Sequence, residues 1–528
     1  MAGDRLAPQG RRARVSAADF IPRSWRTGAG MPWDGKMSLQ NDAPGEDAPA
    51  ASTEDEALRR SRLVAIVLAA TMFMVVIDAT VLLTALPRMA QDFAVPVTLL
   101  SATITIYILV TVVLLPVSNW IGQRFGTRRV YMVAIMGFVL ASLGAGFSQS
   151  LPMFLAMRVC QAAFGTLMVP VGNIILLTIT PKRYLVTAMT ISSTPALIAP
   201  VIGPPIGGFL TTFLDWRWVF FLNVPTGALA LLLSLRFIPN ILSRERTPFD
   251  GKGFALIAGF LTCLIAGFDR LGAKGGGWEQ GVPLLAASLL LGWLGWRHVR
   301  GSAHPIVPLT PLRYPSFFVS TLGAGMLIRI AYMGAGFALP LMLQVGLGLT
   351  AFHAGLLLLA QNAGDLLLKA VAAPSLRLLG FRLALWTGAL TMAVSFAICA
   401  LLSKTMPFWL LFVIMFGVGM ARSIHMTAMM ALRFADVPQT EVGGATVLGN
   451  IAASASQAFA ISTAAALLNL LSGGLTEPRL DDFRAAMVVF ALIALSAIPF
   501  YLRLARDIGS ALTGRRERGL QKVQAEEG

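Results

Sequence analysis

Six ionisable side chains stand inside long apolar runs: Asp78, Arg158, Arg329, Asp365, Lys369 and Arg422. Placing such a group in hydrocarbon costs about 2.5–3.5 kcal/mol on insertion scales, so it is kept where it pairs or moves ions. At a helical rise of about 1.5 Å per residue, Asp78 falls about 15 Å below the outer end of its run and Arg158 about 10 Å below that of its own. Two chemistries fit an acid and a base at comparable depth. One is a carboxylate that carries a proton, with the arginine as its counter-charge; the other is a permanently ionised structural pair. Arg329 and Asp365 each fall about 18–20 Å from the opposite end. Lys369 is one turn from Asp365 on the same face. These three are expected to satisfy one another, either as structure or as a substrate or proton site.

Two acids against four cations leave this inventory positive even with both acids ionised. An unpaired buried cation is costly. Neutral or acid-bearing amphipathic ligands are therefore expected over quaternary ammonium compounds. Other chemistries find no support. There is no GxxxxGK[ST] phosphate loop and no Ser/His/Asp arrangement in a soluble segment. Cys160, Cys263 and Cys399 each sit alone in an apolar run, as small buried hydrophobes do. His298, His304, His353 and His425 have no i, i+4 pairing and no acid at ligand spacing, so no metal is expected. The expectation is a non-enzyme with no cofactor other than a proton gradient.

The elements that must hold these residues follow from composition. Of 528 residues, 56% are hydrophobic and 13% charged, about half the usual charged share. Mean hydropathy is +0.72. An ordinary soluble enzyme, a disordered scaffold and a disulfide-built secreted domain are excluded. The apolar runs are long enough to cross a bilayer core of about 30 Å as helices. They predict an all-α integral membrane fold with spans at 63–87, 97–121, 130–149, 152–179, 187–213, 218–238, 253–272, 281–297, 317–343, 353–376, 383–402, 407–431, 443–471 and 485–503. The lipid bilayer is thus a partner.

The net charge of +16 lies in short clusters between spans, not on a basic face interleaved with aromatics, so nucleic acid is not expected as a partner. The clusters are Arg59/Arg60/Arg62, Arg124/Arg128/Arg129, Arg244/Arg246/Lys252, Arg297/Arg300 and Arg515/Arg516/Arg518. They give the compartment holding both termini about three times the Lys/Arg of the other, which predicts cytoplasmic termini. Residues 1–61 and 504–528 are expected as cytoplasmic tails, the first disordered. Arg11-Arg12 lacks the hydrophobic region of a twin-arginine signal, and Met37 is a candidate alternative start.

An internal repeat sets the domain plan. Gln-Arg-Phe-Gly-Thr-Arg (123–128), after the second span, is echoed by Arg-Leu-Leu-Gly-Phe-Arg (377–382), after the tenth. The plan is a six-helix bundle over 62–238, a linker with two extra spans over 239–316, and a second six-helix bundle over 317–503. A substrate site between such halves is the usual arrangement in secondary transporters.

Two further segments carry a resemblance. Gly203-Pro-Pro-Ile-Gly-Gly208 lies in the fifth span, where small residues permit close helix approach. Trp216-Arg-Trp-Val-Phe-Phe-Leu-Asn-Val-Pro-Thr-Gly227 opens the sixth. They resemble the antiporter motif GPxxGG and the sixth-span signature WRWxFxxNxPxG of the major facilitator superfamily, in its fourteen-span drug:proton antiporter branch. The resemblance runs from about residue 62 to 510. Ile77-Asp-Ala-Thr-Val-Leu-Leu-Thr-Ala-Leu-Pro87 resembles the first-span motif with its buried acid. Arg158-Val-Cys-Gln161 resembles the fourth-span R-x-x-Q-G, with Ala162 in place of Gly. Ala421-Arg-Ser-Ile-His-Met-Thr-Ala and Phe434-Ala-Asp-Val-Pro438 resemble the twelfth span and following loop of one bacterial subgroup, which also tends to carry a lysine at Lys369.

The loop after the second span departs from the family's G-x-x-x-D-R-x-G-R-R. Asn119, Gln123 and Thr127 replace Gly, Asp and Arg, while Arg124, Gly126, Arg128 and Arg129 remain. In the family this loop latches the halves through its acid, a role Gln123 cannot fill by charge. The resemblance implies the major facilitator fold. It implies a plasma-membrane exporter, in the bacterial inner membrane, of amphipathic small molecules driven by inward protons, with Gly203, Pro204, Gly207 and Gly208 as the antiporter motif. A periplasmic adaptor protein is a partner it leaves open. Two alternatives remain on the same fold: a proton-coupled importer of a metabolite and a non-transporting sensor or scaffold.

Overall fold

A run of twenty apolar residues in a bilayer has to close its backbone N–H and C=O groups internally, which a helix does. The computed structural model describes residues 51–181, 184–239, 249–271, 277–302, 307–438, 441–473 and 477–504. Fourteen helices among the described residues are long and apolar enough to span. They are α1 (Ala51–Asp92), α2 (Ser101–Phe125), α3 (Thr127–Gly146), α4 (Leu151–Ile179), α5 (Leu185–Phe213) and α6 (Trp218–Phe237). Then come α7 (Gly251–Leu271), α8 (Trp278–Gly301), α9 (Pro315–Gly346), α10 (Ala351–Leu379), α11 (Phe381–Ala400), α12 (Phe408–Leu432), α13 (Val442–Leu471) and α14 (Leu480–Leu502).

Every span read from the sequence meets one of these helices, with ends displaced by a few residues except at the start of α1, which lies twelve residues earlier. One expectation is corrected: residues 1–61 are not irregular throughout, because α1 already starts at Ala51. Strong helix formers such as Leu58 and Arg59 extend the span outward at little cost. Residues 1–50 and 505–528, with Arg11, Arg12, Met37 and Arg515/Arg516/Arg518, lie outside the described residues, as do Arg244 and Arg246.

Helices α1–α6 and α9–α14 form two bundles. In the first, α4 packs on α2 and α3, and α6 on α3; in the second, α12 packs on α10 and α11, and α9 on α13 and α14. The hairpin α7–α8 reaches both bundles, α7 touching α2 and α13, with Phe268 and Phe459 edge to face at 4.3 Å. Gly126 (φ 90°) and Gly380 (φ 78°) occupy the left-handed region at the turns after α2 and α10, a conformation that favours glycine. The repeat in the sequence is thus a repeat of backbone shape.

Three helices are interrupted among the described residues, α14 at Ala497 and two more at positions that bear on the buried charges. A short turn Trp218–Phe221 precedes Asn223–Phe237 in α6. In α9 the chain breaks between Thr321 and Ala324.

The bundles meet along α5–α10 and α2–α13. At the end where α5 finishes and α10 begins, the seam is closed. Phe352 N–H donates to Thr212 Oγ1 at 3.0 Å, Phe213 and Phe352 rings lie 5.6 Å apart, and Thr98 Oγ1 donates to Asn469 Oδ1 at 2.7 Å. Glycines allow this approach. A Cβ on Gly355 would lie 2.4 Å from the Pro204 carbonyl oxygen, and one on Gly208 would lie 2.3 Å from that of Ala351.

Those obstacles are backbone atoms and cannot rotate away. Gly355→Ala should therefore lower thermal stability by about 1–3 kcal/mol, as overpacking does. Gly336→Ala should leave it unchanged, since nothing lies within 4 Å of that added atom. Thermal unfolding of both purified variants beside the parent protein checks the pair.

Candidate substrate and proton site

The acid of α1 is built into a closed set of donors. Arg158 Nη1, from α4, donates to Asp78 Oδ2 at 2.8 Å. Gln161 Nε2, one turn on, donates to Asp78 Oδ1 at 2.9 Å, and Asn223 Nδ2, at the α6 break, to the same oxygen at 2.8 Å. Ser142 of α3 accepts from both amides, at 2.7 and 3.2 Å. Asp78 and Arg158 side chains are 0% and 1% exposed, so the pair is locked away from water on four helices. Tyr107 of α2 covers the guanidinium, its ring centroid 4.4 Å from Cζ. Two atoms of the cage stay unpartnered and buried, Arg158 Nε and Asn223 Oδ1.

The second bundle holds a looser cluster. Arg422 of α12 donates through Nη1 to Tyr332 Oη at 2.6 Å, and through Nη2 to Asn362 Oδ1 at 2.9 Å and Asp365 Oδ2 at 3.1 Å. Lys369 Nζ lies 3.3 Å from the same Asp365 oxygen but is 39% exposed. Arg158 and Arg422 both stand on the fourth helix of their bundle, each beside a tyrosine ring.

Arg329 does not join Asp365 and Lys369, contrary to the sequence expectation. It donates to the carbonyls of Ser320 and Thr321 at 2.8 and 3.0 Å. The break in α9 strips those carbonyls of helical donors, and the arginine replaces them. Arg422, on another helix, takes the place foreseen for it.

Between the bundles lies a cavity of about 430 Å³. Arg158, Tyr107, Arg422, Tyr332, Asn362 and Gln361 are among its polar lining, as are Thr80 and Gln457, and no carboxylate is among the described lining residues. Tyr107 and Thr111 also line a second cavity of about 510 Å³ that reaches Asn173, Leu177 and Asn450, away from the closed seam. The motif glycines shape the wall. A Cβ on Gly203 or Gly207 would strike Thr80 or Thr84 of α1, while Gly208 and Pro204 face α10. Among the loop residues, Arg128 Nη2 donates to the Leu235 carbonyl at 2.7 Å, a cation at the C-terminal end of α6. Arg124 and Arg129 are exposed, Gln123 is half-buried and Gly126 makes the turn.

Gln161 and Asn223 lie within the fourth- and sixth-span motifs, which by themselves do not assign them to the site. Ser142, Tyr107 and Tyr332 carry no signal a single sequence offers. Asn362 carries a faint one, lying three residues before Asp365 and so on its face.

A family model described as Major Facilitator Superfamily matches residues 68–320 and 321–525. A relative from Pectobacterium carotovorum subsp. carotovorum (strain PC1), named "Putative multidrug resistance protein MdtD", is 30% identical over 439 residues, 81% of this chain and 92% of that protein. A protein of the same name from Yersinia enterocolitica serotype O:8 / biotype 1B (strain NCTC 13174 / 8081) is 32% identical over 408 residues, 76% of this chain and 85% of its own. Among solved structures, a POT family transporter in complex with a thioalcohol conjugated peptide is similar with a TM-score of 0.59 at 14% identity. It covers 84% of this chain and 95% of its own, a likeness of fold.

The cage makes a stability prediction independent of function. Arg158→Leu strands an uncompensated buried charge and should cost about 3–5 kcal/mol, part of which Asp78→Asn in the same chain should restore. Thermal unfolding of the single and double variants measures this.

Proposed function

The chain belongs to the Major Facilitator Superfamily, and we propose that it is a proton-coupled exporter of amphipathic small molecules working by alternating access. The observation that carries the reading is a cavity between two bundles, flanked by one buried charge cluster on each side. The two relatives bear multidrug-resistance names. The fold is that of a transporter, and its residues are read as binding and moving solutes rather than as catalysing a reaction.

The chain is placed in the bacterial inner membrane with both termini in the cytoplasm, on the Lys/Arg bias of its loops. The closed α5–α10 seam then faces the periplasm, and the cavity leads toward the cytoplasm. Rocking one bundle on the other would open the seam and close the far end.

Asp78 is the proton carrier in this reading. In the state described, both its oxygens accept hydrogen bonds, as a carboxylate does. A proton arriving there needs an acceptor, and Asn223 holds one in reserve: its Oδ1 is buried without a partner. Turning that amide exchanges Nδ2 for Oδ1 opposite Asp78, so the protonated acid finds an acceptor without any helix moving. Arg158, no longer facing a negative charge, would then take an anionic or acceptor group from the cavity once the Tyr107 ring that covers it swings aside. Proton and substrate would thus compete through one arginine.

Two outcomes test this. Asp78→Asn should abolish substrate accumulation driven by a pH gradient in proteoliposomes, while substrate exchange without a gradient persists. Accumulation at the parent rate would remove Asp78 from coupling. The second concerns ligand charge. Two arginines and no carboxylate are among the described residues that line the cavity, so among size-matched amphipathic competitors the anionic or neutral ones should inhibit more strongly than the quaternary ammonium one. Stronger inhibition by the cation would contradict the lining.

A further inference from the structure

Pro200 and Pro204 stand four residues apart within α5. A helical carbonyl at position i is taken by the N–H at i+4, and proline has none to offer. The Pro200 carbonyl is therefore left open by Pro204 and needs a donor from outside the helix. Asn362 of α10 supplies it, Nδ2 donating to the Pro200 oxygen at 2.7 Å. The other end of the same amide accepts from Arg422 Nη2 at 2.9 Å, and that nitrogen also donates to Asp365 at 3.1 Å. Only one orientation of the amide works. Reversed, it would set N–H against guanidinium and oxygen against carbonyl.

We propose that Asn362 is a positioning residue that ties the charge cluster of the second bundle to α5 of the first, so that whatever Arg422 holds sets how firmly the α5–α10 seam stays shut. The inference rests on the alternating-access reading and deepens it. While Arg422 holds Asn362 Oδ1, the amide is aimed at Pro200. When a ligand acceptor in the cavity draws Arg422 away, the amide is released to turn and the seam loses its tie at cavity level. The Phe352–Thr212 bond remains, but it lies at the helix ends. Pro204 of the Gly-Pro motif thus acts by omission, withholding the one N–H that would make Asn362 unnecessary.

The test reads the seam directly, in the full-length chain. With Cys160, Cys263 and Cys399 replaced by alanine, a single reporter Leu83→Cys is placed on the cavity wall. Its reaction with a membrane-impermeant maleimide is timed in vesicles that expose the α5 C-terminal end to the reagent. Asn362→Leu, which removes donor and acceptor at similar size, should raise the labelling rate about fivefold, the worth of one hydrogen bond. Asn362→Asp keeps an acceptor for Arg422, but its carboxylate has no donor for Pro200, and it should give the same rise. That variant decides the matter where Asn362→Leu does not elute as a monodisperse protein.

In a Pro204→Ala background the substituted residue supplies the missing N–H, so Asn362→Leu should then add less than about twofold. No rise with either Asn362 variant would overturn the proposal. So would an equal rise with and without Pro204→Ala. Labelling requires no transported compound, so a negative result here is distinct from failure of the export reading, which the pH-gradient assay judges.

Discussion

An arginine and an aspartate held together out of reach of water constrain the first bundle. A lone charge at that depth is costly, and even a pair repays its desolvation only with good geometry and further hydrogen bonds. Asp78 and Arg158 meet that condition by recruiting Gln161 from the same helix as the arginine, Ser142 from α3 and Asn223 from the break in α6. Four helices are therefore pinned to one carboxylate. The cage also limits what the site can do. Any change in the charge of Asp78 has to be absorbed by the same few polar atoms, and those left over, Asn223 Oδ1 and Arg158 Nε, are where the slack lies.

The second bundle is built on a different balance. Asp365 faces two cations with one oxygen and leaves the other without a partner. Lys369 is exposed enough to be solvated, so its pairing contributes little. The fixed members are Arg422, Tyr332 and Asn362, and through Asn362 the cluster touches the opposite bundle. One bundle thus carries a sealed pair and the other an open cluster with a connection across the seam. Glycine and proline make the crossing possible, glycine by removing bulk at backbone contacts and proline by leaving a carbonyl without its helical donor.

The architecture is legible in the sequence because bilayer thickness dictates span length and loop charge alternates with it. All fourteen helices follow from that, and depth arithmetic sets Asp78 and Arg158 at similar height, while their meeting also needs the first and fourth spans to be neighbours, as the resembled fold implies. Arithmetic fails for Arg329 because depth assumes an unbroken helix. The break after Thr321 creates carbonyls that need a donor, and they take the arginine. The amides of the cage are harder to see. Asn223 is one polar residue in an aromatic turn, and its role depends on where α6 breaks. Tyr332 and Asn362 matter only through the way α9, α10 and α12 face one another, which one chain's residue pattern does not encode.

Whether Asp78 exchanges a proton in this cage is the claim on which the rest turns. pH-dependent infrared difference spectroscopy of the purified protein in bilayers measures it with no ligand. A carboxylic acid C=O band should appear on lowering pH in the parent protein and be missing in Asp78→Asn. Identical difference spectra from the two proteins would mean that Asp78 does not change its protonation over that range, and would contradict proton exchange at this carboxyl.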